Sequence, residues 1–247
     1  FDNVDLNPAA NDGVTDQATF ERNRYILGNL PDNDQWNYTV GARYDRFVNK
    51  GFHTVVVSRS HLFNEASKYR NNDDSDPAGL LLRYGSTEEE NKVRYEAVMN
   101  YGAWRFVGGA GYEHARYGTD TYTQRVIASV PVVVDYESSL SMDKFGVFGQ
   151  LSRTFGKLST SLGVRTDWNT LGGTMSDPLE QLSPRLSLSY AVSDAVNINA
   201  NVGRFHQLPP YTVLGFRNGS GDLLNLNNGI RYIQADHVVA GVEYFTR

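Results

Sequence analysis

The 247-residue sequence predicts an all-β fold, an antiparallel transmembrane β-barrel of which these residues form about nine strands of a larger wall. Three observations predict it. Apolar and polar residues alternate with period two through most of the chain, as side chains do along a strand. The connections between those runs are short and long in turn. Aromatic residues gather near the ends of the runs.

The alternation places strands near 37–46, 52–62, 89–100, 104–117, 138–153, 158–169, 183–191, 195–205 and 234–245. In the first, Tyr38, Val40, Ala42 and Tyr44 share one face, and Thr39, Gly41, Arg43 and Asp45 the other. The fourth sets Trp104, Phe106, Gly108, Ala110 and Tyr112 against Arg105, Gly109, Gly111 and Glu113. The sixth sets Leu158, Thr160, Leu162, Val164 and Thr166 against Ser159, Ser161, Gly163, Arg165 and Asp167. Leu186, Leu188 and Tyr190 oppose Arg185, Ser187 and Ser189. Val196, Ile198, Ala200 and Val202 oppose Asn197, Asn199 and Asn201. In the last, Val238, Ala240, Val242 and Tyr244 oppose His237, Gly241 and Glu243, with Val239 an exception. A helical period fits none of these runs, and long helices disfavour so much Thr, Asn, Tyr and Gly. Most runs have roughly the 9–11 residues that a tilted strand needs to cross a bilayer.

Short turns fall at Val48–Gly51, Asn100–Gly102, Phe155–Lys157 and Val192–Asp194. Between them lie long polar stretches at 63–88, 118–137, 170–182 and 206–233, read as loops. Tight turns at one end and extended loops at the other are the outer-membrane pattern. Trp36, Tyr38, Phe47, Tyr101, Trp104, Tyr112, Tyr117, Trp168, Tyr190 and Tyr244 stand at strand ends, where interfacial girdles place aromatics. Nine is an odd count, whereas bacterial single-chain barrels close on even numbers. A barrel of 22 strands would need about 600 residues. The given residues are therefore expected to be a partial barrel, with Phe1 and Arg247 lying inside a longer chain.

Composition agrees. Aromatics make up 12% of the chain, too many for a disordered one. No stretch approaches 18 consecutive apolar residues, so a transmembrane helix is excluded. A mean hydropathy of −0.45 is compatible with a barrel that shows lipid only every second residue. The absence of cysteine removes disulfides and thiolate metal sites. The net charge of −5, with no basic run, does not favour nucleic acid as a partner.

The stretch from Leu182 through Ser183-Pro184-Arg185 to Tyr190 leads on to Gly203-Arg204-Phe205-His206-Gln207-Leu208-Pro209-Pro210-Tyr211 and to Ala235-Asp236-His237 with Gly241-Val242-Glu243-Tyr244. In that order these motifs resemble the later barrel of Bacteroidetes-type TonB-dependent outer-membrane receptors. Val57-Ser58-Arg59-Ser60 and Phe145-Gly146-Val147-Phe148-Gly149-Gln150 are similar to family strands too. The resemblance implies a large barrel in the bacterial outer membrane, closed by a plug domain. It implies energised import of a siderophore, cofactor, glycan or peptide, with the TonB–ExbB–ExbD system as partner. The sequence itself carries no recognisable plug, TonB box or terminal aromatic strand.

Candidate sites follow from the alternation. Arg43, Asp45, Arg105, Glu113, Arg165, Asp167, Arg185 and Arg204 are expected to face the lumen, where they would hold a polar interior, contact a plug or line a wet channel. His206, Gln207 and Tyr211 flank a two-proline bend expected at the outer mouth, where they could stack on and hydrogen-bond a ligand. The bland alternative is that the prolines only end the strand. The run Asn71 to Asp76 offers oxygen ligands without EF-hand spacing and reads as a solvated loop tip, so no metal site and no cofactor are assigned. HExxH, GxSxG and P-loop patterns are absent, and Gly108 to Gly111 is followed by no helix, so no catalytic residue is assigned. Besides the uptake receptor, the residues admit a passive porin or adhesin barrel, or a soluble all-β binding module whose apolar faces meet in a core.

Overall fold

The computed structural model describes residues 6–246. Nine strands pair in chain order into one antiparallel sheet. They are β1 (Asp32–Val48), β2 (Gly51–Tyr69), β3 (Leu80–Tyr101), β4 (Trp104–Ile127), β5 (Val130–Phe155), β6 (Leu158–Asn169), β7 (Ser183–Ser193), β8 (Val196–Gln207) and β9 (Ile233–Tyr244). Three α-helices occur among the described residues: α1 (Gln17–Asn29) ahead of β1, and α2 (Tyr211–Leu214) and α3 (Leu224–Asn227) in the connection after β8. No helix is long and apolar enough to cross a membrane, which says nothing of strands. All nine expected strands are present, and the four short turns lie at one end of the sheet.

The long connections differ from expectation. Residues 63–88 and 118–137 are mostly strand rather than loop. β2 and β3 stay paired from Gly51↔Met99 up to Tyr69↔Leu80, and β4 and β5 from Trp104↔Arg153 to Ile127↔Val130. The latter hairpin closes on Ala128 and Ser129, both left-handed with φ 50° and 66°, the two-residue geometry that suits strand twist. These extensions carry polar residues on both faces, so period two fades while the backbone ladder continues. α1 was not anticipated. Asp16 caps it by accepting from Thr19 N at 2.8 Å. Its far end is held by the buried Lys68 ammonium, which donates to the carbonyls of Leu27 (2.6 Å) and Leu30 (2.9 Å) and to Asn72 Oδ1 (2.5 Å). A cation there meets the negative end of the helix dipole.

Register gives the sheet two chemically distinct faces. One row of cross-strand neighbours runs Phe106, Leu151, Leu162, Leu186, Val202, Val238 through six strands. Every member is apolar, and Leu162 remains 61% and Val238 82% exposed, because nothing among the described residues packs over this row. Aromatics bound it. Tyr112, Phe145 and Trp168 are in ring contact toward the long-loop end, with centroids 5.4 and 5.5 Å apart. At the short-turn end the Arg153 guanidinium lies over both Trp104 (4.8 Å) and Phe155 (4.5 Å). Tyr117 and Phe47, read as girdle members, instead alternate onto the polar face; Tyr117 is 3% exposed beneath a folded connection.

The buried core is small and sits on the polar face, not between two sheets. Ala115, Tyr117, Leu140 and Met142 of β4 and β5 are covered by Met175, Tyr211 and Leu214 from the connections after β6 and β8. Among the described residues nothing pairs with the outer edge of β1 or of β9. Unpaired strand edges are not tolerated in hydrocarbon, so a membrane wall of this kind continues into further strands.

Candidate functional site

The polar face is built by Arg-x-acid repeats and their cross-strand neighbours. Residues two apart on a strand share a face, so Arg43 reaches Asp45 (Nε to Oδ2, 2.8 Å) and Arg165 reaches Asp167 twice (2.6 and 2.5 Å). Arg94 and Glu96 repeat the arrangement at 2.7 Å. Thr54 of β2 donates to Asp45 at 2.5 Å, tying β1 to its neighbour. Glycines leave space beside one fork and for close strand packing next to another. A Cβ on Gly146 would stand 2.4 Å from Asp167 Oδ1, and one on Gly109 would stand 2.2 Å from the Tyr95 carbonyl oxygen and 2.9 Å from the Phe148 ring.

Register brings seven of the eight charged candidates onto this face: Arg43, Asp45, Arg105, Glu113, Arg165, Asp167 and Arg185. Arg204 is the correction. It alternates with Val202 onto the apolar face and forms a paired contact with Asp236 (2.8 and 3.0 Å). Arg204 is exposed three residues before the end of β8, and the neighbouring strand supplies its partner.

Higher on the polar face lies a charge cluster that sequence reading only touched through Glu113. Lys144 contacts Glu113 and lies 3.2 Å from Glu90; Lys92 lies 2.5 Å from Glu90 and 3.3 Å from Glu113. Glu90, Lys92 and Lys144 lie inside the strands expected at 89–100 and 138–153, but those runs show no clear alternation, and only the register puts the three on one face. Tyr211, 8% exposed, closes the cluster: its hydroxyl donates to Glu90 at 2.5 Å and accepts from Lys144 at 2.6 Å. Burial, and then the Glu90 carboxylate, push the Tyr211 hydroxyl well above the usual phenol range, so it stays protonated. Tyr211 is thus drawn inside, not presented at the mouth, because α2 turns the chain back over the sheet after Pro210. His206 is separated from it, with Nδ1 3.0 Å from Ser183 Oγ, and Gln207 is exposed. His206, Gln207, Tyr232, Lys92, Arg165 and Arg185 still border one hollow of about 570 Å³ on this face. At the tip of the β2–β3 hairpin, Asp73 accepts from Ser75 N (3.1 Å) and Oγ (2.6 Å), and the Ser75 hydroxyl holds its carboxyl below the usual range.

A family model for the TonB-dependent receptor-like β-barrel matches residues 1–246. The chain belongs to that family. TonB-dependent receptor barrels are bacterial outer-membrane proteins, so the apolar face is the lipid face, the short turns are periplasmic and the long connections extracellular. The matching family model is that of a receptor barrel, not of an enzyme. Solved structures of similar fold include the copper transporter OprC (14% identity, TM-score 0.66, 89% of this chain and 38% of that one). A double mutant of the ferric enterobactin receptor PfeA from Pseudomonas aeruginosa matches at 15% identity and TM-score 0.63, over 87% of this chain and 33% of that one. The unliganded ferric citrate transporter FecA matches at 12% and 0.52, over 86% and 32%. This TonB-dependent receptor barrel therefore spans about a third of the length of those chains. No curated protein matches the sequence.

Proposed function

We propose that these residues form part of the barrel of an outer-membrane uptake receptor that imports a small, scarce nutrient: a siderophore, cofactor, glycan or peptide. In this reading the wall closes at about 22 strands. A plug domain of the same parent chain fills the lumen, and the TonB–ExbB–ExbD system supplies the energy. The observation that carries the reading is the asymmetry of the wall. Its outside is an unbroken apolar row between aromatic girdles, and its inside is a field of charged forks with, among the described residues, no core except where the connections after β6 and β8 fold in. A pore that wide needs a filler, and charged forks suit a polar one. At the mouth, His206 and Gln207 are the ligand-contact candidates, with Tyr211 positioning the connection behind them.

The test is uptake by cells carrying or lacking the parent gene under nutrient limitation. Import that stops with a protonophore or on loss of TonB supports the reading. Import of small solutes that continues without energy would replace it with the porin alternative.

A further inference from the structure

Lower on the polar face, below the Glu90–Lys144 cluster, a hollow of about 330 Å³ between β3 and β7 adjoins the 570 Å³ one, sharing Arg94, Arg165 and Arg185 with it, while Glu113 and Asp167 line only the larger. The charged residues lining it are Arg94, Arg165 and Arg185; no carboxylate lines it. The three are not equivalent. Arg94 and Arg165 each engage an acid on their own strand, Glu96 and Asp167. The guanidinium of Arg185 meets no hydrogen-bond acceptor among the described residues. It is nevertheless seated against a neighbouring strand. Its guanidinium lies 4.3 Å from the Phe205 ring centroid, and a Cβ on neighbouring Gly203 would stand 3.1 Å from Arg185 Cγ, so glycine there leaves space for the stem. Arg94 lies over Phe148 in the same way, at 5.7 Å. Gly163 keeps part of the hollow free of side chains.

An arginine held on an aromatic ring keeps its donor edge free, and that planar edge matches the two oxygens of a carboxylate. Two further guanidinium groups on the same hollow, each neutralised by its own acid, still leave donors to spare. We propose that this hollow is a carboxylate socket, with Arg185 as its principal donor and Arg94 and Arg165 as flanking cations. The occupant the proposed function favours is an acidic side chain of the plug domain, since the hollow lies on the polar face, which that reading turns to the lumen. This assignment rests on that reading; the same chemistry could come from a free dicarboxylate, and the test separates the two.

The experiment uses the full-length parent receptor in detergent, with R185Q, R185K and wild type, each first checked for the heat-resistant folded barrel on a gel. Plug release is followed as loss of protease protection over a urea series, and dicarboxylate binding by calorimetry with malonate. The expected result is a urea midpoint for plug release about 0.5–1 M lower in R185Q, with R185K in between and malonate silent. Malonate binding to wild type that R185Q weakens about tenfold, with plug release unchanged, makes the socket a site for a free carboxylate and still upholds it. Plug release and malonate binding that are both indifferent to R185Q overturn the socket while leaving the uptake reading intact. A parent chain with no protease-protected plug removes the uptake reading instead, and the malonate arm alone then decides the socket.

Discussion

Placing a lysine at Leu162 tests the assignment of the two faces most directly. Leu162 sits near the middle of the run from Leu158 to Trp168 on β6. Those ten steps span about 34 Å along the strand, and a tilt near 40° reduces this to about 26 Å, close to the roughly 25 Å apolar band of an outer-membrane barrel. Leu162 is then within about 3 Å of the midplane. Its cross-strand neighbours Leu151 and Leu186 are also apolar, so no partner awaits a charge. Leu162→Lys should cost roughly 2–4 kcal/mol, a loss of up to about a thousandfold in the folding equilibrium. Ser161→Lys, one residue away, turns to the wet face beside Ser152 and Ser187 and should cost less than about 0.5 kcal/mol. The assay is reversible unfolding of the parent receptor in lipid vesicles, followed by tryptophan fluorescence. Equal costs at the two positions would refute the lipid-face assignment and return the chain to a soluble two-sided core.

Tyr211→Phe removes the hydroxyl between Glu90 and Lys144 and should weaken docking of residues 208–232 by about 1–3 kcal/mol, read as faster amide exchange across that connection. Lys68→Met leaves the Leu27 and Leu30 carbonyls without their donor and should release α1, seen as proteolysis between residues 17 and 30 while the strands stay protected. Gly109→Ala drives a Cβ against the Tyr95 carbonyl and should destabilise by roughly 1–3 kcal/mol in the same vesicle assay. Replacing Ala128-Ser129 by Asn-Gly relieves two left-handed residues and should slow amide exchange at the tip of the β4–β5 hairpin, with little effect on overall stability.

What the sequence determined by itself was the two-faced wall. Period two over β1, β4, β6, β7, β8 and β9 follows from lipid on one side and water on the other, and four tight turns give the strand order. The same logic explains what it could not carry. Beyond the bilayer both faces of β2–β3 and β4–β5 meet water, alternation loses its cause, and only backbone pairing reveals that 63–69, 80–88, 118–127 and 130–137 are strand. Arg204 shows the reverse error, a residue type allowed to overrule parity: the position matches Val202, and Asp236 stands opposite as the partner of the charge. Tyr211 and Glu90 lie 121 residues apart, and Arg185 and Phe205 lie on different strands. Such partners are chosen by cross-strand register and by the path of a connection folding back on the sheet. Both are properties of the closed set of hydrogen bonds, not of any local run of residues.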